Sequence, residues 1–203
     1  MRKHFLVLAV AAVAVAATAI PAVALGGGPA AALRAGSGAS ASGASFTLTI
    51  NALGSGANEI KIDRKGGNYV IGSNGPIPPP TGISGCSNPP ANPNELRCAL
   101  GRVSGFDIAV GGGNDTVTAA KSVEVPTRMI GGAGLDDLIG GSNSDSLSGG
   151  GDGDKLVGRG GADSLYGGKG EDLLLGGAGK DVLRGGAGQD VLKGGPGRDD
   201  ERQ

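Results

Sequence analysis

The sequence predicts an all-β protein whose carboxy-terminal region is a parallel β-solenoid, preceded by an irregular, β-rich cap. Glycine supplies 43 of 203 residues, roughly three times its average share of about 7%. There is no tryptophan, and there are only three phenylalanines and two tyrosines, which excludes a core built on large aromatic side chains. From residue 131 the chain repeats every nine residues, a period typical of solenoids that stack short coils.

Residues 1–24 have the features of a secretory signal peptide. A basic start is followed by an apolar run over residues 5–20, and Ala22-Val23-Ala24 fits a small-x-small cleavage site. The apolar run is shorter than the roughly 20 residues that a membrane-spanning helix needs. We therefore expect a secreted, extracellular chain with no membrane span in its mature form.

Cleavage after Ala24 removes His4, which is the only histidine in the sequence. The mature chain then lacks every catalytic design that uses imidazole, including Ser-His-Asp triads and H-E-x-x-H zinc sites. Loss of Arg2 and Lys3 changes the net charge from −1 to −3, which disfavours binding to nucleic acid. These features favour a non-catalytic protein, and they leave open an enzyme that works with carboxylates alone.

Two further regions lie between the signal peptide and the repeats. Residues 25–44 are rich in Gly, Ala and Ser, which predicts a flexible linker. Residues 45–130 contain short alternating runs, such as residues 46–50, that are typical of strands, and we expect a β cap that covers the first strand edges of the solenoid. Because secreted chains with two cysteines usually pair them, we expect a disulfide between Cys86 and Cys98.

Eight consecutive nonapeptides, units 1 to 8, fill residues 131–202 without an insertion. The sixth position is aspartate in every unit: Asp136, Asp145, Asp154, Asp163, Asp172, Asp181, Asp190 and Asp199. The eighth position is leucine in the first seven units and Glu201 in the last, so we expect no strand in unit 8. A period of nine excludes collagen, which requires a period of three. The fixed aspartate and leucine positions argue against a disordered acidic tail.

The unit predicts a turn followed by a minimal strand. Glycines at positions 1, 2 and 4 allow a tight turn with inward carbonyls, and alternation over positions 7 to 9 directs the leucine into a narrow interior. Two units make one coil of 18 residues, and coils stack at the strand spacing of about 4.8 Å. The aspartate of unit n then lies near that of unit n + 2, and at about 5 Å two such charges repel by roughly 0.8 kcal/mol even in water. A divalent cation between stacked turns would cancel this repulsion, and calcium suits a flexible cage of oxygen ligands better than magnesium does.

With the pattern G-G-x-G-x-D-x-U-x, where U is aliphatic, residues 131–202 resemble the hemolysin-type calcium-binding (RTX) repeat family. The units GGAGKDVLR and GGAGQDVLK match this pattern in full. The resemblance implies a parallel β-roll in which calcium lies between turns on the same side. Carried onto this chain, it implies up to about six calcium ions in the main array, held by turn carbonyls and by sixth-position aspartates two units apart.

Several positions depart from the family pattern. Asn143 and Asp152 replace glycine at position 4, and Arg159 replaces glycine at position 2, so we expect weaker calcium sites in those turns. Upstream, residues 111–117 read GGGNDTV. We interpret this stretch as a degenerate coil in which Asp115 is a further candidate calcium ligand.

Three functions from different classes follow. The leading hypothesis is a secreted, non-catalytic calcium-binding protein that folds into a rigid roll in extracellular calcium and has a structural or adhesive role, with an unidentified partner on an extracellular surface or matrix. The alternative is a secreted hydrolase that uses carboxylates such as Asp63 or Asp107, with the repeats as a stabilising calcium module. The third possibility is the binding of ice or a polysaccharide on a flat face of the roll. Ice binding would call for regular threonine ranks, and residues 131–202 contain no threonine.

Overall fold

The structure is a computed structural model, and it describes residues 30–35, 45–53, 55–77 and 85–203. The predicted signal peptide at 1–24 lies outside the described residues, as do residues 25–29 and 36–44 of the predicted linker. Among the described residues the one helical element is a 3-10 turn at Leu100–Arg102. Within these ranges no helix has the length and apolar character needed to cross a membrane.

Strands make up most of the part of the chain that the structure describes. The strands before the repeat array are β1 (Ala30–Ala35), β2 (Phe46–Leu53), β3 (Glu59–Lys65), β4 (Asn68–Ser73), β5 (Cys86–Ser87), β6 (Glu95–Ala99), β7 (Val103–Gly112) and β8 (Thr116–Ala119). The strands that lead into and form the array are β9 (Thr127–Ala133), β10 (Asp137–Ile139), β11 (Ser146–Gly151), β12 (Lys155–Gly160), β13 (Ser164–Lys169), β14 (Leu173–Ala178), β15 (Val182–Ala187), β16 (Val191–Lys193) and β17 (Asp200–Arg202).

The strands form two sheets, and consecutive repeats alternate between them. One sheet has the order β1-β2-β7-β9-β11-β13-β15-β17, and the other has the order β16-β14-β12-β10-β8-β3-β4-β6-β5. Within the array every pairing is parallel, and the register places Leu147 opposite Leu165 and Leu156 opposite Leu174. The paired residues are 18 positions apart, so one coil contains two units, as the sequence predicts. The array is a parallel β-solenoid.

The eighth-position leucines fill the space between the two sheets. The first six are at most 2% exposed, namely Leu138, Leu147, Leu156, Leu165, Leu174 and Leu183. The residues on either side of each leucine point outward and are exposed or half-buried, because successive side chains of a strand alternate between faces. Leu192 in unit 7 is only partly buried, since it belongs to the last coil.

The strands of residues 45–130 continue the same two sheets. β2 pairs in parallel with β7, and β3 pairs in parallel with β8, so the solenoid begins well before the first regular repeat. β4, β6 and β5 then extend one sheet with antiparallel pairings. Larger side chains pack at this end, where the rings of Tyr69 and Phe106 meet edge to face with centroids 5.3 Å apart.

The predicted disulfide is present, and it joins Cys86 on β5 to Cys98 on β6. The two cysteines are directly opposite each other in the antiparallel register of these strands. The bond therefore fixes the outermost strand of the nine-stranded sheet to its neighbour.

The structure differs from the sequence predictions at both ends of the eight-stranded sheet. Residues 30–35, predicted to lie in a flexible linker, form β1 antiparallel to β2, since the edge of β2 offers unpaired backbone groups to a neighbouring strand. The prediction that unit 8 has no strand is wrong, because β17 pairs in parallel with β15. Glu201 takes the leucine position there, and its carboxylate accepts a hydrogen bond from the Gly194 N–H over 2.5 Å.

Replacing a leucine of the interior should destabilise the solenoid much more than replacing its outward neighbour. We expect Leu165→Ala to lower the free energy of unfolding by about 2–5 kcal/mol, because it leaves a cavity in a narrow core. Ser164→Ala should change that free energy by less than about 0.5 kcal/mol. Urea unfolding in excess calcium, followed by circular dichroism, measures both values. Equal effects of the two substitutions would contradict the described alternation.

Candidate functional site

In β11 to β15 each strand runs from position 7 of one unit to position 3 of the next, so it is longer than the three residues that the sequence predicts, and the turn occupies positions 4 to 6. Glycine has a specific role both in these strands and in the turns. In unit 5, Gly168 and Gly170 adopt φ angles of 122° and 115°, which side chains with a Cβ rarely adopt. A Cβ on Gly168 would also collide with the carbonyl oxygen of Gly150, at the same position of unit 3. Glycine therefore allows the turns of successive coils to stack with backbone carbonyls in close contact with the next turn.

The sixth-position aspartates lie in two columns, one on each side of the solenoid. The odd column consists of Asp115, Asp136, Asp154, Asp172 and Asp190, and the even column consists of Asp145, Asp163, Asp181 and Asp199. Within a column, Oδ1 of each aspartate accepts a hydrogen bond from the backbone N–H of the aspartate one coil earlier, over 2.7–3.0 Å. The structure thus brings together the aspartates that the sequence pairs two units apart.

The second carboxylate oxygen, Oδ2, is buried without a hydrogen-bond partner at most of these aspartates. Among the described residues this holds for Asp115, Asp136, Asp154, Asp163, Asp172, Asp181 and Asp190. In unit 4, a Cβ on the first-position Gly158 would collide with Oδ2 of Asp163 and lie 2.6 Å from the carbonyl oxygen of Gly176. The same arrangement recurs at Gly131, Gly140, Gly167 and Gly176. Each interface between stacked turns therefore places a carboxylate oxygen near a carbonyl oxygen of the next coil.

Neighbouring acceptor oxygens need a donor or a cation between them, because a buried acceptor without a partner is costly. In the part of the chain that the structure describes, no three His, Cys, Asp or Glu side chains come together as a metal cluster. An interface offers instead two stacked carboxylates and the carbonyls of the turns. Calcium binds such sets of oxygen ligands, so the donor set fits a calcium ion.

Burial is the main cause of unusual pKa values in both columns. It raises the pKa to about 7 at Asp154 and Asp163 and to about 6 at Asp136 and Asp145. Backbone N–H hydrogen bonds oppose the increase, and the charges of column neighbours add to it, as Asp136 and Asp172 do at Asp154. Burial also raises the pKa of Asp115, Asp172 and Asp181. The columns therefore hold their negative charge unfavourably at neutral pH unless a cation compensates it.

The array matches the family model described as RTX calcium-binding nonapeptide repeat (4 copies), over residues 130–165, 148–183 and 166–200. Residues 130–200 belong to the RTX calcium-binding repeat family. The predicted family and the predicted β-roll are thereby confirmed. Comparison with curated proteins and with solved structures gives no match.

The RTX columns extend beyond the regular units at one end and become exposed at the other. Asp115, which the sequence places in a degenerate coil, is 1% exposed and donates its backbone N–H to Asp136. It is therefore a full member of the odd column. Asp190 and Asp199 lie in the last coil and are half-buried.

The non-glycine turn positions of the RTX array behave differently from one another. Asp152 and Arg159 adopt φ angles of 70° and 78°, so both keep the left-handed conformation of the glycines that they replace, with some backbone strain. In unit 2 the turn itself is altered, because Oδ2 of Asp145 accepts a hydrogen bond from the Gly141 N–H over 2.7 Å. The RTX pattern thus tolerates Asp152 and Arg159 without loss of the left-handed backbone conformation.

Sequence reasoning missed the residues that begin each column. The backbone N–H of Asn58 donates to Oδ1 of Asp115 over 2.6 Å, and that of Thr127 donates to Oδ1 of Asp145 over 2.8 Å. Asn58 and Thr127 therefore each occupy the sixth position of the preceding coil. Residues 56–60 read Gly-Ala-Asn-Glu-Ile, which is the second half of the RTX motif with asparagine for aspartate. Thr127 follows a proline and has no such signal in the sequence.

In the presence of a chelator we expect the roll to be more stable at about pH 5 than at about pH 8. The aspartates ionise near pH 4 in an unfolded chain and near pH 6 to 7 in the folded columns. The folded state therefore binds more protons than the unfolded state in this range. The stability that these carboxyl groups contribute is fully present below about pH 4 and is lost as the pH rises through 6 to 7.

Thermal unfolding of the chelated protein between about pH 4 and pH 8, followed by circular dichroism, measures this trend. A melting temperature that increases steadily with pH would contradict the raised pKa values of the columns.

Proposed function

We propose that the protein is a secreted, non-catalytic calcium-binding protein whose repeat array becomes a rigid β-roll when it meets extracellular calcium. The rigid roll would then serve a structural or adhesive role, with a partner on an extracellular surface or matrix. The sixth-position aspartates of both columns and the turn carbonyls are the proposed calcium ligands. The observation that carries the proposal is the buried, unpartnered Oδ2 of the stacked aspartates.

Calcium would supply positive charge between stacked turns, and the chain supplies everything that orients it. Oδ1 of each aspartate is held by the backbone N–H one coil earlier, which leaves Oδ2 directed at the first-position glycine and the neighbouring carbonyl. Burial makes the charged form of the carboxyl groups unfavourable. These groups therefore support tight coupling between calcium binding and folding, since the same interface is both the binding site and the contact between coils.

The extracellular location of the proposal rests on three features. Residues 1–24 have the pattern of a signal peptide, and the Cys86–Cys98 disulfide is typical of an oxidising compartment. The third feature is the set of RTX calcium-binding repeats. Extracellular calcium modules commonly bind their ion with a Kd of about 10⁻⁴–10⁻³ M. A chain with such sites would be loose before export and ordered after it.

The non-catalytic part of the proposal is supported by the acidic residues outside the columns. Asp63 accepts hydrogen bonds from the Ser122 hydroxyl and the Arg64 N–H, which lower its pKa. Asp107 forms an ion pair of 3.0 Å with Arg128 on the outer face. Both carboxylates are tied to neighbouring polar groups, and the lowered pKa of Asp63 is the opposite of the raised pKa that a carboxyl acid catalyst usually has.

The neighbours Asp136 and Asp137 provide a matched test of the proposed ligands. Asp136 belongs to the odd column, whereas Asp137 points outward and forms an ion pair of 2.9 Å with Lys155. We expect Asp136→Asn to weaken calcium binding at its interfaces on the order of tenfold or more, because one charged ligand is lost. Asp137→Asn removes the same charge from the neighbouring position and should leave the affinity nearly unchanged.

Isothermal titration with calcium, and with magnesium as a control, measures both variants against the unsubstituted chain. The proposal is wrong if the unsubstituted chain binds no calcium, and the ligand assignment is wrong if the two variants lose affinity equally.

A further inference from the structure

The first interface of the odd column is closed by a side chain. Asn58 is 5% exposed, and its side-chain Nδ2 donates to Oδ1 of Asp115 over 2.9 Å, to the carbonyl of Gly56 over 3.0 Å and to the carbonyl of Val110 over 3.2 Å. Gly56 belongs to the turn that holds Asn58, whereas Val110, near the end of β7, and Asp115 belong to the next coil. The amide nitrogen therefore bridges oxygen atoms of two stacked turns.

The geometry at Asn58 corresponds to that of a regular interface with one atom exchanged. Val110 occupies the first position of the degenerate coil, counted back from Asp115 at the sixth position. In regular interfaces, Oδ2 of the aspartate in one coil and the first-position carbonyl of the next coil lie beside the same glycine. Asp163 Oδ2 and the Gly176 carbonyl lie in this way at Gly158. At Asn58 an N–H donor meets that carbonyl, so two acceptors become a donor and an acceptor.

The even column begins with a different side chain in the same role. Its sixth position in the first coil is Thr127, which supplies no carboxylate. The guanidinium of Arg159 reaches back from unit 4, and Nη1 donates to the first-position carbonyl of Gly140 over 3.0 Å and to the carbonyl of Ala119 over 2.5 Å. Ala119 and Gly140 lie in successive coils, so this cation also bridges two stacked turns.

The position of Arg159 is unusual enough to point to a specific role. Glycine occupies the second position of the other regular units, and Arg159 keeps the same left-handed backbone at a φ of 78° in spite of the strain that this gives a residue with a Cβ. Its guanidinium is partly buried between the turns, where it gives up water for the two carbonyl oxygens.

We propose that the first stacked interface of each column is closed by a protein N–H donor, from Asn58 in the odd column and from Arg159 in the even column, in place of calcium. This rests on the proposed calcium binding of the regular interfaces. Calcium-dependent order then begins beyond these interfaces, where Oδ2 of the aspartate in the earlier coil has no hydrogen-bond partner, at Asp115, Asp136, Asp154 and Asp172 in the odd column and at Asp163 and Asp181 in the even column. The amino-terminal coils form a calcium-independent base on which the calcium-dependent coils stack.

Hydrogen exchange of the full chain in a chelator tests the proposal without any substitution. We expect slow amide exchange in β3 and β8 with or without calcium, and fast exchange in β12 to β15 that becomes slow when calcium is added. If β3 and β8 also exchange fast in the chelator, the proposed base does not exist. If calcium changes no region, the proposed function itself has failed, so the two failures are distinguishable.

Asn58→Asp converts the closed interface into one of the regular kind. We expect one additional calcium ion per chain by isothermal titration, and fast exchange of β3 and β8 in the chelator that calcium reverses. Asn58→Ala is the matched control, because it removes the same donor without adding a carboxylate. It should give fast exchange in the chelator and no additional ion. An unchanged calcium stoichiometry in Asn58→Asp, with β3 and β8 still protected in the chelator, would overturn the proposal.

Discussion

The stacking of buried carboxylates is the constraint on which the rest of this structure depends. Each coil of 18 residues adds one aspartate to each column, and each aspartate lies under the backbone N–H of the one before it. Hydrogen bonds satisfy one oxygen of each carboxylate, and at most positions the other oxygen is buried without a hydrogen-bond partner. Under the proposed function, folding of the roll and binding of cations are aspects of a single equilibrium.

The other features of the repeat follow from this arrangement. Each strand from β10 to β16 carries one inward leucine, which makes the interior too narrow to hold many coils together by apolar contact alone. Glycines at the turn positions keep the stacked backbones close enough for carbonyls to approach the column. The amino-terminal coils differ, since they add larger side chains such as Phe106 and Tyr69 and a disulfide. These contacts are the basis of the proposed calcium-independent base.

The repeated part of the fold could be predicted from the sequence because its pattern is strictly local. A nine-residue period with fixed aspartate and leucine specifies the coil length, the inward side chains and the pairing of aspartates two units apart. The role of burial could not be read in the same way. The sequence suggests repulsion between stacked charges, whereas the structure shows that loss of water is the larger cause of the raised pKa values.

Contacts between residues that are far apart in the sequence could not be predicted either. Arg159 reads as a weakened turn in the sequence, yet its side chain reaches two earlier coils, and that contact exists only once the coils are stacked. Asn58 lies in a motif too short to stand out, and its place in the odd column depends on the parallel pairing of β3 with β8. The strand β17 forms in spite of Glu201 because backbone pairing with β15 does not require a leucine.

The central claim is that, at neutral pH, the regular coils order only when a cation balances their buried carboxylates. Circular dichroism of the protein at pH 7.5 during a calcium titration, with magnesium in a parallel titration, tests this most directly. The account predicts a cooperative increase of the β-sheet signal with calcium and little change with magnesium. An equally strong β-sheet signal after exhaustive chelation at the same pH would contradict it.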